Sequence, residues 1–442
     1  MQVPSRRARR RGTLVQPAGP LPGDTRRMDV ATRPTASYAQ RIAFVSEMAA
    51  RLHRYGTTAQ RLEATVTALS HRLDLECEAW SNPTGLILSF SDPGKPLGSS
   101  DTTRVVRLAP GENDLHKLSE SDRIAEAVAT GQMSIAQGHT ALGTLDRAPT
   151  PRMRVLQVFA FSLAAAGVAG LWRLPWLDIA TAAMAGLLIG LLDQYTGRRP
   201  ALKEASDALA ALIAGTVVAL VAALVGPLNL NTVVIASLVV LLPGMAITNA
   251  MNELSSQHWV SGTVRFAGAL TTVMKLTVGA IIAVEVMDLL GVQPQVRALR
   301  SQPDWVQWVA MVLAAYAFAV LFKASRRDYL WVMGAAVTGY LIAIFAGEAW
   351  GSPAGIFMSA LVLTAAGNAF GRWWHRPGAL IRLPGIIMLV PGSASLRGLL
   401  TLVQQQDVDA GQSALLGVTN IVMALLAGLL FGNLLVPARK NL

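Results

Sequence analysis

Between residues 155 and 436 the chain is a succession of long apolar runs separated by short polar joints, and no other feature limits its fold so strongly. Backbone polar groups find no water inside hydrocarbon, so a chain that crosses a bilayer does so as helices or as a closed barrel; runs of about 20 apolar residues have the helical length. Ten runs qualify, at 155–173, 176–193, 208–226, 231–251, 263–287, 304–322, 329–347, 353–371, 379–400 and 412–436. The second, eighth and ninth are short or interrupted by Gly and Pro. Only 15% of the 442 residues are charged, against about a quarter in soluble domains, while 52% are hydrophobic, so the apolar excess belongs in lipid. The expected fold class is a polytopic α-helical membrane protein of about ten transmembrane helices, with a small α/β or α+β cytosolic domain before them.

Pro149 and Pro151 mark the boundary between the charge-rich N-terminal part and the apolar part. The expected division is a basic disordered tail at 1–36, an N-terminal domain at 37–150, a first membrane repeat of five spans at 151–290 and a second at 304–437. The net charge of +11 invites a nucleic-acid partner, but the eight Arg and two Asp of residues 1–36 account for +6 of it. No apolar stretch follows Arg6–Arg11 as a signal peptide requires, so the N-terminal domain is expected in the cytosol. The joints then assigned inside carry Arg198, Arg199, Lys203, Arg265, Lys323, Arg326, Arg327, Arg372, Arg376, Arg382, Arg439 and Lys440; those outside carry Arg173, Arg297, Arg300 and Arg397. Twelve against four obeys the positive-inside bias, so both termini are expected in the cytosol; the expected location is the cell (inner) membrane, and no nucleic-acid partner is expected. The single cysteine, Cys77, permits no internal disulfide and no cysteine-based metal site.

Aligning Pro243 with Pro391 sets Leu241-Leu242-Pro243-Gly244-Met245-Ala246 over Leu389-Val390-Pro391-Gly392-Ser393-Ala394, in the fourth and ninth runs. An odd number of spans per repeat turns the second half upside down, and inverted repeats are a common way to build an alternating-access transporter. Pro lacks an N–H and Gly loosens the helix, so these positions are expected to free backbone groups near mid-membrane, either to hold a zwitterion or carboxylate or simply to kink the helix for packing.

Before the apolar runs, residues 37–54 and 58–73 read as two helices broken at Gly56, 75–80, 85–90 and 103–108 as strands, and 113–130 and 134–146 as helices separated by Gly131. His53, His71, His116 and His139 are scattered, and hydrolase, metalloprotease and phosphate-loop motifs are missing, so neither an enzyme, a cofactor nor a metal is expected.

Lys275 falls in the middle of an apolar run, where a charge costs about 2.5–3.5 kcal/mol and so faces the bundle interior or a wet cavity. It is expected to meet a substrate carboxylate, or to serve as a structural partner of Glu253 or Glu285, or to snorkel. Asn249, Asn252 and Glu253 follow the first Pro-Gly pair, and Arg397 takes the repeat position of Asn249. The expected substrate and ion path is thus Pro243, Gly244, Asn249, Asn252, Glu253, Lys275, Pro391, Gly392, Ser393 and Arg397. Asp193, Asn368 and Asn420 are weaker candidates.

Leu52-His53-Arg54-Tyr55-Gly56-Thr57-Thr58-Ala59-Gln60-Arg61-Leu62-Glu63, Asn82-Pro83-Thr84-Gly85, Arg107-Leu108-Ala109-Pro110-Gly111-Glu112-Asn113-Asp114-Leu115 and the two Pro-Gly segments resemble the threonine/serine exporter family over residues 37–437. The resemblance implies a cytosolic N-terminal domain, ten spans and efflux of threonine and serine driven by the proton motive force. A related two-subunit system linked to succinate keeps a dicarboxylate exporter as an alternative, and a membrane-anchored enzyme or sensor is a third. Arg61, Glu63, Pro83, Thr84 and Gly85 are expected to dock or gate the membrane half. A small-molecule substrate, the lipid bilayer and a proton are the expected partners, with self-association left open.

Overall fold

Ser37 starts the described chain's first helix: its hydroxyl accepts from the Gln40 N–H while the Gln40 side chain accepts from the Ser37 N–H, so two otherwise orphaned donors are satisfied. The computed structural model describes residues 36–96, 101–197, 199–297, 301–374, 376–389, 392–404 and 408–437. The expected basic tail, Arg198, Arg300, Pro391, Arg439 and Lys440 lie outside them.

Helix α1 (Tyr38–Arg54) ends before Gly56, whose φ of +83° suits glycine, and α2 (Ala59–Arg72) turns back from there. An antiparallel meander follows, β1 (Glu76–Asn82), β2 (Gly85–Ser91) and β3 (Thr102–Arg107), with Cys77 opposite Phe90 and Leu86 opposite Val106. Alternation along β2 sends Leu86, Leu88 and Phe90 into a core with Phe44, Met48, Leu62, Val66 and Leu69. Burial pushes the Cys77 thiol up to about 11. Helices α3 (Leu115–Ala129) and α4 (Ile135–Thr144) close the N-terminal region, capped by Asp114 and by a second Ser-Gln box at Ser134 and Gln137.

Thr150 caps α5 (Pro151–Leu171), with Pro151 at the first helical position, where its missing N–H does no harm. Then come α6 (Trp176–Thr196), the short α7 (Pro200–Lys203), α8 (Ser206–Leu224), α9 (Leu230–Ser237), α10 (Gly244–Ser255) and α11 (Trp259–Leu289). The second half runs α12 (Asp304–Leu321), α13 (Tyr329–Trp350), α14 (Ser352–Trp374), α15 (Ala379–Ile387), α16 (Gly392–Gln404) and α17 (Val408–Leu435). Among the described residues nine stretches, rather than the ten expected, are long and apolar enough to cross a membrane. The fourth run is the exception: residues 238–243 leave the helix, splitting it into α9 and α10, because Pro243 has no N–H to give and Gly244 follows it. The ninth run is divided in the same place, into α15 and α16.

Packing repeats between the halves. α8 lies on α11 as α14 lies on α17, α10 lies on α11 as α16 lies on α17, and α9 packs against α5, α6 and α8 as α15 packs against α12, α13 and α14. The first helices of the halves, α5 and α12, run antiparallel. A Cβ on Gly167 would stand 2.9 Å from the Ala314 Cβ and one on Gly170 2.7 Å from the Ala310 Cβ, so small residues let the backbones meet. Beyond them Arg173 pairs with Asp304 at 2.6 Å. Exposed Trp176 and Trp305 touch at that end of the bundle, and Trp331, Trp373 and Trp374 gather at the other, as aromatic side chains do at the two membrane surfaces. The chain is a multi-pass helical membrane protein.

Candidate functional site

The two helix breaks meet. A Cβ on Gly392 would fall 2.9 Å from the Leu242 Cβ and 3.4 Å from the Gly244 Cα, so the start of α16 lies directly on the start of α10. Thr248 returns its hydroxyl to the Gly244 carbonyl at 3.1 Å. Beside the breaks is a cavity of about 120 Å³ lined by Trp172, Leu242, Gly244, Tyr340, Gly392 and Ser393 among others. This lies well below the roughly 300 Å³ at which sites for drug-sized ligands begin, so it suits a small solute. The Tyr340 hydroxyl accepts from Gln307 at 3.2 Å, and the Arg397 guanidinium stands 5.8 Å from the centre of the Trp172 ring.

A second cavity, of about 40 Å³, opens on the side where the N-terminal region packs. Thr57 and Thr58 from the α1–α2 turn and Arg61 from the start of α2 meet Asn249 and Asn252 of α10, Arg382 of α15 and Asn433 of α17. Gly244 and Ile387 line the first cavity while their neighbours Met245 and Ile386 line the second, so the start of α10 and the end of α15 border both spaces.

Glu253 fastens the N-terminal region. It is fully buried, and its carboxylate accepts from the Ala59 N–H at 3.0 Å, from Ser261 at 2.8 Å and from Nε and Nη2 of Arg265, both at 3.1 Å. A buried charge is tolerated when it is paired and its lone pairs are filled in this way. One turn further, the His258 ring meets Glu63 at 3.0 Å, and the other Glu63 oxygen accepts from the Ser81 N–H at 2.7 Å. A separate fastening reaches the second half: the Leu115 N–H donates to the Phe322 carbonyl at 2.9 Å and the His116 N–H to that of Lys323 at 3.3 Å. There Glu112 faces Lys323 at 3.3 Å and Lys203 at 3.7 Å. Protein packed near the Glu112 carboxyl pushes it up although the side chain is exposed, but the two ammonium groups outweigh this and hold the group below the usual carboxylate range.

A family model described as "Putative threonine/serine exporter" matches residues 43–287, and one described as "Threonine/Serine exporter, ThrE" matches residues 307–435. The chain belongs to the threonine/serine exporter family. Among curated relatives, a "Probable threonine/serine exporter" of Mycobacterium tuberculosis is 24% identical over 77% of this chain and 66% of its own length. The "Pheromone-regulated membrane protein 10" of Pichia sorbitophila is 26% identical over 83% of this chain and 38% of its own, and that of Debaryomyces hansenii 25% over 84% and 38%. The chain therefore spans between about two fifths and two thirds of the length of these relatives. No solved structure matches it significantly.

For this family member the structure brings Gly244, Gly392 and Ser393 to one cavity and Asn249, Asn252 and Arg61 to the other. Glu253 and Glu63 lie at the fastening between the N-terminal region and the first half, and Pro243 precedes α10. Pro83, Thr84 and Gly85 form the β1–β2 turn, where the Asn82 side chain accepts from the Thr84 N–H at 2.9 Å. The Asn82 carbonyl accepts from the His53 ring at 3.0 Å, and burial lowers the pKa of that imidazole. Lys275 stands apart from both cavities: its ammonium donates to the Glu204 carbonyl at 2.8 Å and lies 4.0 Å from Asp207, tying α11 to the start of α8, with neither Glu253 nor Glu285 as partner. Asn368 donates to Asn433 at 2.8 Å.

Sequence reasoning passed over Arg265, Ser261, His258, Trp172, Tyr340 and Arg382. Arg382 was within reach, because it lies inside the ninth apolar run and an ionisable group in a span marks a site as Lys275 does. Counting it among the joint cations hid it.

Proposed function

We propose that this chain is a secondary active exporter of small amino acids, threonine and serine foremost, working from an inner membrane with both termini in the cytosol. The observation that carries the reading is the contact of Gly392 with Leu242 and Gly244 beside a cavity of about 120 Å³. Two discontinuous helices meeting at a small cavity are the arrangement in which transporters bind substrate between inverted repeats, and the antiparallel α5 and α12 with their matched neighbours support such repeats at 151–290 and 304–437. Substrate rests between the halves near the breaks while each half in turn opens the cavity to one side. Inward proton movement drives the cycle. The N-terminal region, residues 37–150, is a cytosolic domain that covers the inner cavity, with Arg61 and Glu63 on its docking face. The relative from Mycobacterium tuberculosis supports the substrate class by its name.

A dicarboxylate exporter is the second reading, and the observation in its favour is the pair Arg61 and Arg382 on the inner cavity. Proteoliposomes loaded with labelled threonine, serine or succinate and placed under a pH gradient separate the two. Gradient-dependent efflux of threonine or serine is the expected result. Efflux of succinate alone would favour the second reading, and folded protein that moves none of the three would refute both.

A further inference from the structure

We infer that Arg61 and Arg382 form a carboxylate site that is complete only while the N-terminal region is docked, so that a ligand's carboxylate itself draws that region onto the membrane helices. The identity of the ligand, an exported amino acid, rests on the exporter reading above; the site does not.

Both arginines line the inner cavity, one from the first turn of α2 and the other from α15 inside a span. Neither takes part in any ion pair among the described residues. Other arginines of the bundle are matched: Arg265 by Glu253, Arg376 by Asp328 and Arg173 by Asp304. Glu253, the carboxylate on the neighbouring helix, is saturated by Ala59, Ser261 and Arg265 and is not available as a counterion.

A second observation points to a ligand. Thr57 is only 8% exposed, lines the same cavity and has a hydroxyl without a hydrogen-bond partner. Buried polar groups are normally paired, so an orphaned hydroxyl beside two unmatched guanidinium groups describes a place for an acceptor. Guanidinium groups hold carboxylates through paired N–H donors, and the amide oxygens of Asn249 and Asn252 on the same wall suit the ammonium of a zwitterion.

Size and charge then give the device. About 40 Å³ is tight for a whole amino acid, so the turn at Gly56–Thr58 draws back to admit the ligand and then closes on it less deeply than in the present structure. With the site empty, Arg61 and Arg382 repel and oppose docking; a carboxylate between them turns repulsion into a bridge from α2 to α15.

The test uses full-length protein in nanodiscs, with calorimetric binding of threonine, of threoninol, in which the carboxylate is replaced by an alcohol, and of succinate. Hydrogen exchange is followed at residues 56–63, and thermal unfolding confirms that each variant is folded. Threonine is expected to bind at least about 10-fold more tightly than threoninol, and Arg382→Gln and Arg61→Gln each to weaken it about 10-fold or more, with Arg382→Lys partly restoring it. Threonine, and not threoninol, is expected to slow exchange at 56–63. Succinate binding with the same arginine dependence, without threonine binding, would uphold the site and shift the ligand to dicarboxylates. Equal binding of threoninol, threonine binding indifferent to both arginines, or no binding of either carboxylate would overturn the inference. Efflux from proteoliposomes of the same preparations separates the two levels: efflux insensitive to both arginines defeats this inference and leaves the exporter standing, whereas arginine-dependent binding without efflux does the reverse.

Discussion

The two broken helices share a design and differ in chemistry. Aligning Pro243 with Pro391 sets Glu253 on Thr401, Arg265 on Ser413, Lys275 on Met423 and Asn249 on Arg397. In the first half the helix after the break, α10, ends in a buried carboxylate that receives a backbone N–H from α2. In the second, α16 carries an exposed arginine over the Trp172 ring and no carboxylate at the matching place. The break is thus common property, and among the described residues the attachment of the N-terminal region through a buried charge belongs to the first half. A repeated backbone can keep its geometry while its side chains divide the labour.

The largest test of that contrast removes the charge. Glu253→Ala leaves Arg265 half-buried and the Ala59 N–H without its acceptor, and should cost about 3–5 kcal/mol, read as a fall in thermal midpoint and faster exchange across α2. Thr401→Ala at the matching position should stay within about 0.5 kcal/mol. Next comes the shared element: Gly392→Ala forces the two breaks apart and should cost about 1–3 kcal/mol, with efflux slowed more than stability falls. Lys275→Met copies the second half's Met423 into the first. Because the side chain is 39% exposed and its ammonium bonds a carbonyl, stability should move by no more than about 1 kcal/mol and efflux should persist. Loss of efflux there would show that the halves differ in the transport path and not only in attachment. The smallest effect concerns His53. Its pKa is lowered by burial from 6.5, so the unfolded chain binds the proton more readily; this contribution is full above pH 6.5 and is lost as pH falls through the folded value. The protection factors around the β1–β2 turn, taken relative to intrinsic exchange at each pH, should fall on acidification, and His53→Gln should flatten that dependence.

Much of the architecture was legible because it depends on local pattern. The helix pair broken at Gly56 appears with the positive φ that glycine permits there, and the run at 85–90 appears as β2. The break in the fourth run was legible too, in Pro243-Gly244 and not in hydropathy: residues 231–251 are apolar throughout, but apolarity does not restore the N–H that Pro243 lacks. The docking chemistry was hidden for a physical reason. Glu253 takes its bonds from residues 12 positions later and 194 positions earlier, distances at which periodicity carries no information. Arg61, singled out for docking, stands on the inner cavity opposite an arginine that a strict reading of intramembrane charge would have flagged.

The N-terminal region is tied at two places, to α10 and α11 through Glu253 and His258 and to the end of α12 through Phe322 and Lys323. In the exporter cycle proposed above it would act as a strut between two supports. Rocking one half against the other would change the span between those supports, so the stroke would be limited by how far the strut yields before one end lets go. Shortening or stiffening it would alter turnover with every residue of the cavities left in place.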